Sequence, residues 1–322
     1  MQGGSCMTVE ISDRQSTATR PSISVVIPTL NEARNLPHVF AALANVLNPD
    51  VDEVLLVDGH SIDDTVEIAR QLWPTIRVIL QTRTGKGNAL ACGFGAATRD
   101  VIVMLDADGS ADPAEIPLFI RTLIGGADFA KGTRFAGGGG SKDITRLRRI
   151  GNKGLNVLVN RVYRTSYTDL CYGYNAFWRH CLPALGLDHA QAAAELLVHS
   201  SDRSELCVWG DGFEIETLIN IRLAIAQLTV HEVPSFEHFR IHGESNLRAF
   251  SDGLRVLRTI VVERRYRRRR EMVRGAASEA SSQTRGRTVV VDLRDGELAS
   301  RHVRAVFRGC AHSTVACIEC AA

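Results

Sequence analysis

From residue 23 onward the chain alternates between short β-branched runs and segments whose apolar residues recur three and four apart. Residues 23–28, 53–58, 76–80 and 101–106 read as strands bounded by turn residues. Residues 36–47, 65–72, 89–97 and 116–124 carry helical spacing. Ser61 to Asp64 supplies cap chemistry ahead of the second of these helices. Strands that are apolar throughout and alternate with helices predict parallel pairing, with helices on both faces of the sheet. The predicted fold class is therefore α/β and Rossmann-like.

Past residue 125 the texture changes. Residues 127–132 predict another strand and residues 137–140 a glycine loop. Residues 147–163 form a helical pattern with basic positions between the apolar ones. Residues 186–211 are irregular and read as a surface insertion, followed by a helix over 214–226, a strand over 228–234 and a helix over 254–262. No internal repeat is present.

Composition sets the borders. Residues 1–21 are polar and aperiodic, a flexible leader. Six arginines at 264–270 surround Tyr266, and the remainder to Ala322 is rich in Ser, Arg, Gly and Ala, with one short strand expected at 288–293. The expected organisation is a leader over 1–21, a single α/β domain over 22–262, and a basic cluster with a disordered tail over 263–322.

The chain has 322 residues, of which 45% are hydrophobic and 23% charged, enough for a sizeable core. Its net charge of +2 excludes a global nucleic-acid footprint, so any basic partner site must be local. No run reaches the ~20 apolar residues of a membrane helix. The N-terminus lacks a basic start followed by an apolar stretch, so no secretory signal is read and the cytoplasm is the expected compartment. Of eight cysteines, five show no paired spacing and are expected as free thiols. The last three, in CAHSTVACIEC, lack a standard zinc spacing and read as tail ahead of zinc site.

In an open α/β sheet, ligands bind beyond the carboxyl ends of the strands. The first strand ends in Pro28-Thr29-Leu30-Asn31-Glu32, the second in Asp58-Gly59-His60-Ser61, the fourth in Asp106-Ala107-Asp108-Gly109. Three strand ends thus bring carboxylates and turn residues to one rim. Asp106 and Asp108, two residues apart past an apolar strand, suit one hard cation, Mg²⁺ or Mn²⁺, which keeps positions open for phosphate oxygens. The alternative is a polar turn with a cap at Asp112-Pro113. Asp58 suits hydrogen bonds from a nucleobase or ribose; its alternative is an Asx turn. The turn Thr84-Gly85-Lys86-Gly87-Asn88 suits an anion through its backbone N–H groups and Lys86. It lacks the spacing of an NTPase phosphate loop, and no GxGxxG follows the first strand, which argues against a nicotinamide dehydrogenase.

The segments SVVIPTLNEARNL, VLLVDGHSIDDT, GKGNAL, VIVMLDADGSADP and KGTRF together resemble family 2 glycosyltransferases of the GT-A fold, nearest the dolichol-phosphate mannosyltransferase-like branch. TDLCYGYNAFWR, GDGFEIETLI and VPSFEHFRIHGESNLRAFSDGLRVLRTI continue the likeness in order, over residues 23–262. The resemblance implies a mostly parallel mixed sheet and a nucleotide-diphosphate sugar as donor. It implies that Asp106 and Asp108 hold the metal and the donor diphosphate and that Asp58 lies at the nucleobase. Pro28, Asn31 and Glu32 match the donor-side first loop, and Arg134 an arginine near the acceptor. Arg240 and Ser245 match a late loop over the donor phosphates, the alternative for Arg240 being a surface salt bridge. Two departures stand out: Gly59 replaces a second acid, and Gly109-Ser110 follows the paired aspartates where the branch has Leu-Gln, leaving Ser110 or Asp112 to substitute.

The implied mechanism is an inverting single displacement with Lys86, Arg240 and the metal stabilising the leaving group. A hydroxyl acceptor needs a base, for which Asp169 is the best candidate, its alternative being a helix cap or loop hydrogen bond; a phosphate acceptor needs cations, which Arg134, Arg148 and Arg149 could supply. The basic amphipathic pattern at 147–163 and the arginine cluster suit an anionic membrane bearing a polyprenyl phosphate, at the inner face; the alternative for the cluster is a solvated helix end followed by disorder. Other readings are a soluble transferase with a small hydroxylated acceptor, a nucleotidyltransferase, and a non-catalytic sugar-nucleotide sensor. The nucleotidyltransferase is disfavoured because no glycine-rich loop follows the first strand, and the sensor because the aspartate pair is intact.

Overall fold

In a computed structural model, residues 20–187, 210–243 and 252–265 are described, all within one compact unit. Strands β1 (Ile23–Thr29), β2 (Glu53–Asp58), β3 (Arg77–Leu80) and β4 (Val101–Met104) alternate with helices α1 (Leu36–Ala44), α2 (Thr65–Leu72) and α3 (Lys86–Ala96). Then come α4 (Ile116–Ile124), β5 (Phe129–Thr133), β6 (Gly140–Ser141), α5 (Arg146–Tyr163), β7 (Asn175–Trp178) and α6 (Leu182–Leu185). The last elements are α7 (Ile215–Ala226), β8 (Val230–Pro234), β9 (Phe236–Glu237) and a helix α8 over 252–265.

Among the described residues, seven strands form one sheet in the order β3-β2-β1-β4-β7-β5-β8, and β6 pairs with β9 in a second. All pairings in the large sheet are parallel except those of β7, which runs antiparallel between β4 and β5. This is the mixed, mostly parallel sheet that the sequence led us to expect. Side chains alternate between two cores, as strand geometry requires. Val25, Ile27, Val54, Leu56 and Val103 pack against α1 and α4, while Val26, Leu55, Val57, Ile102 and Met104 pack against α3 and α7. A third cluster, built from Val159, Tyr163, Tyr167, Leu170, Ile221, Val256 and Ile260, joins α5, α7 and α8.

Several borders differ from the sequence reading for physical reasons. Helix α1 stops at Ala44, yet the apolar spacing runs on because Leu47 is still buried in the turn that follows. Strand β4 ends at Met104, the last residue to pair with β7, so Leu105 and Asp106 lie beyond the ladder. Helix α3 begins at Lys86, three residues earlier than its apolar spacing indicates, because a distant carbonyl accepts its first N–H groups. The leader up to residue 19, most of the insertion, the arginines at 267–270, the strand expected at 288–293 and the terminal cysteines lie outside the described residues. Cys92, Cys171 and Cys181 are free thiols, as expected.

Candidate active site

Parallel pairing of β1 with β2 and β4 carries the ends of all three to one rim. There the chain leaves β4 through Asp106 and Asp108, which both line a cavity of about 520 Å³. Each carboxylate meets a cation from another element. Lys86 Nζ lies 2.8 Å from Asp106, and Arg240 lies 3.1 Å from Asp108. Asp108 also accepts the Ser110 N–H at 3.0 Å, which fixes the turn. Asp112 caps the following single turn through the Ala114 N–H, so the cap reading holds for it, whereas Ser110 lines the cavity.

The glycine-rich turn before α3 requires a correction. Its N–H groups do not face an open anion site: those of Gly87 and Asn88 both donate to the Asp211 carbonyl, at 2.7 and 3.3 Å. A Cβ on Gly87 would lie 1.8 Å from the Gly210 carbonyl oxygen, so glycine is needed for this close approach. Arg83 reinforces the contact with a buried two-pronged bond to Asp211, at 2.8 and 2.9 Å. Lys86 is the member of the turn that enters the cavity, where it also meets Glu216 at 2.9 Å. Burial would lower its pKa, but Asp106 and Glu216 outweigh that and raise it, so Lys86 is charged.

Asp169 also requires a correction. The base role needs a free carboxylate oxygen in reach of the acceptor, and Asp169 has none to spare. One oxygen accepts Arg134 Nε at 2.7 Å and the Arg134 N–H at 3.2 Å. The other accepts Arg134 NH2 at 2.9 Å and Asn152 Nδ2 at 3.0 Å. Asp169 is fully buried, and although burial pushes its pKa up, Arg134 and Lys131 bring it below the ordinary value. Arg134 spends its remaining prong on Glu237, 3.1 Å away, and its guanidinium lies 4.8 Å from the centre of the Tyr172 ring. It lines the cavity as the hub of this network. Of the other arginines proposed for an acceptor phosphate, Arg148 lines the cavity and lies 3.6 Å from Asp143, while Arg149 is exposed over Phe135.

The first loop folds as a platform. Pro28 lies within β1, and Asn31, at φ 56°, accepts the Ile62 N–H. Glu32 bonds Asn35, and its pKa is raised, first by burial and further by Asp108 and Asp106, which places it on the same rim. Asp58, buried, accepts the N–H groups of His60 and Ser61: the Asx turn is formed, at the end of β2 and outside the cavity lining. The late loop, residues 238–243, crosses the aspartate turn. Ile241 N–H donates to the Asp108 carbonyl and His238 N–H to that of Ser110. Among the described residues, the buried Arg240 Nε has no acceptor. Ser245 lies outside the described residues.

Beyond the charged end, the cavity continues between α5 and α8, lined by Ile144, Leu147, Ile150, Leu158, Leu254 and Leu257. The N-terminal half of helix α5 is inverted relative to an ordinary surface helix, while Val159 and Tyr163 in its last turns join the third core cluster. Its inward positions carry asparagines: Asn152 bonds Asp169, Asn156 the Thr168 carbonyl and Asn160 the Tyr167 carbonyl. Its outward positions carry Leu147 and Ile150, 68% and 71% exposed, beside the exposed Arg146, Arg149 and Lys153. Among the described residues no helix is long and apolar enough to cross a membrane.

Sequence reasoning missed Glu216, Glu237 and Tyr172. Glu216 sits in an apolar helical run, where a charge on the buried face was the available signal. A different group, Asp128, His180 and Cys181, lies at the opposite rim. The Thr229 N–H already takes an Asp128 oxygen there, and Cys181 is buried with its thiol pushed up to about 12 by burial.

Comparison with known proteins shows the family and the fold. The family model for glycosyl transferase family 2 matches residues 24–186, about half of the chain. A dolichol-phosphate mannosyltransferase of Pyrococcus furiosus is 35% identical over 152 residues, 46% of this chain and 43% of that protein. An uncharacterised glycosyltransferase of Mycobacterium tuberculosis is 37% identical over 113 residues, 35% of this chain and 49% of that one. The chain thus aligns with less than half the length of these curated relatives. Among solved structures, glucosyl-3-phosphoglycerate synthase of M. tuberculosis, in complex with Mn²⁺, UDP and glucosyl-3-phosphoglycerate, superposes with a TM-score of 0.56 at 21% identity. That match covers 76% of this chain and 80% of the synthase, and shows that the two share the GT-A fold.

Proposed function

Because the chain belongs to glycosyl transferase family 2, we propose that it transfers a hexose from a nucleotide-diphosphate sugar to a polyprenyl phosphate at the cytoplasmic face of a membrane. The observation that carries this reading is the cavity itself. One end holds Asp106, Asp108, Lys86 and Arg240, and the other is an apolar trough between α5 and α8. A donor diphosphate suits the first end and a lipid chain the second. The name of the P. furiosus relative points to the same acceptor class.

Asp106 and Asp108 offer carboxylate oxygens on one cavity wall, the donor set that Mg²⁺ or Mn²⁺ prefers. Bound there, the ion would offset charge on the leaving diphosphate. The chain's own residues do the rest. An acceptor phosphate oxygen attacks the anomeric carbon, and the bond from that carbon to the donor phosphate oxygen breaks with its electron pair. Lys86 and Arg240 stabilise the charge that develops on the diphosphate. Arg240 Nε, which has no acceptor among the described residues, gives it a donor to spare for this. The acceptor is already an oxyanion, so no base is required, in keeping with the full commitment of Asp169 to its partners. Arg148, at the cavity wall, is the cation best placed for the acceptor phosphate.

The exposed Leu147, Ile150, Leu254 and Val261, with arginines between them, form the face that would rest on an anionic membrane. The fold neighbour favours a second reading, a small phosphorylated acid as acceptor. The test offers both acceptor classes, with UDP- and GDP-sugars and Mn²⁺. Label passing into the organic phase with a short polyprenyl phosphate supports the first reading. Label transferred only to 3-phosphoglycerate overturns it in favour of the second.

A further inference from the structure

Glu216 lies at the start of α7, nearly buried, and faces the cavity beside the paired aspartates. Its carboxylate and that of Asp106 hold Lys86 from two sides, at 2.9 and 2.8 Å. The space around this trio is shaped for it. A Cβ on Gly173 would lie 2.9 Å from Lys86 Nζ, 3.2 Å from Glu216 Oε1 and 3.6 Å from Asp106 Oδ2. The backbone supports the same geometry, since Gly87 and Asn88 donate to the Asp211 carbonyl just ahead of α7.

A lysine tail has four rotatable bonds and loses that freedom only where it is held. Asp106 alone is a weak anchor: its side chain is 35% exposed, and as a metal-side carboxylate it has a competing partner. Glu216, 6% exposed, has Lys86 as its one cationic partner among the described residues. We infer that Glu216 is a positioning residue for phosphate recognition, holding Lys86 at the metal-side carboxylate so that the ammonium meets the terminal phosphate of the donor diphosphate. This deepens the donor-site reading above and rests on it. It assigns Glu216 no contact with substrate: its effect passes through Lys86.

The experiment measures binding of UDP and UMP, and of GDP and GMP, to the full chain with Mn²⁺ by calorimetry. A lysine aimed at the terminal phosphate raises diphosphate affinity over monophosphate affinity. Wild type is therefore expected to prefer one diphosphate. Lys86→Met and Glu216→Gln should each lower that preference about tenfold, the scale of one charge-assisted hydrogen bond. The double variant should lose no more than either single one, because the two residues act as one unit. Gly173→Ala, which displaces the ammonium without changing any charge, should lower the same ratio, and its melting temperature reports folding separately. A wild-type ratio in both Glu216→Gln and Gly173→Ala, with loss only in Lys86→Met, overturns the role of Glu216 alone. A wild type that binds no diphosphate overturns the donor-site reading and this inference together.

Discussion

Arg134 and Asp169 form a two-pronged ion pair, at 2.7 and 2.9 Å, in a part of the cavity wall where the aspartate is fully buried. Thirty-five residues separate them in the chain, and the pair ties the end of β5 to the segment leading into β7. Asp169→Asn leaves the Arg134 charge partly unmatched in a buried place. It is expected to destabilise the fold by about 3 kcal/mol, measured by urea denaturation. A loss below ~1 kcal/mol would mean that water reaches the guanidinium.

The same pair sets a pH dependence. Arg134 and Lys131 outweigh burial and hold Asp169 below its ordinary value of 3.8, so below that value the unfolded chain binds the proton more readily than the native one. The contribution is complete above ~pH 5 and is lost as pH falls through the depressed native value. The stability gap between wild type and Asp169→Asn is therefore expected to stay constant above that range and to shrink on acidification. A gap that is flat through the acid limb would contradict the assignment.

Gly87→Ala would place a methyl group 1.8 Å from the Gly210 carbonyl oxygen. The contact between α3 and residues 210–212 has to open, so a loss of about 2 kcal/mol is expected, with faster amide exchange at Gly87 and Asn88. Gly95→Ala, where a Cβ would meet nothing within 4 Å, is the matched control and should not destabilise.

Leu147→Ser with Ile150→Ser removes two exposed apolar side chains from α5. Stability should change by less than ~0.5 kcal/mol per site, as for surface positions generally. Cosedimentation with phosphatidylglycerol vesicles should fall severalfold, and raising the salt should weaken what remains. Unchanged cosedimentation would rule out α5 as the membrane face.

The parts of this fold legible in the sequence are those set by local pattern. Helix α4 has the limits that its apolar spacing indicates, and β2 those of its strand-like run. Strand β7 was not legible, because four residues gain strand identity only between β4 and β5, and nothing in NAFW announces an antiparallel partner. The rim carboxylates were legible because short turns after strands declare themselves. Partners were not. Asp169 reads as a free acid until Arg134 is seen beside it, and the glycines around Lys86 read as an anion cradle until Asp211 is seen to fill it. Glu216 was hidden for the same reason: its meaning lies in Lys86, 130 residues away.

In the proposed enzyme one cavity joins a sugar-nucleotide site to a lipid trough, and such a junction shows itself in the dependence of transfer on acceptor chain length. Initial rates would be measured with Mn²⁺ and a series of polyprenyl phosphates of increasing length, in wild type, Asp108→Ala and Leu158→Ser with Leu254→Ser. Metal-dependent transfer that Asp108→Ala abolishes is expected. KM should fall as the chain lengthens in wild type, with that gain reduced in the trough variant while kcat holds. Transfer that is indifferent to chain length, or equal in the trough variant for every acceptor, would mean that the trough does not hold the lipid.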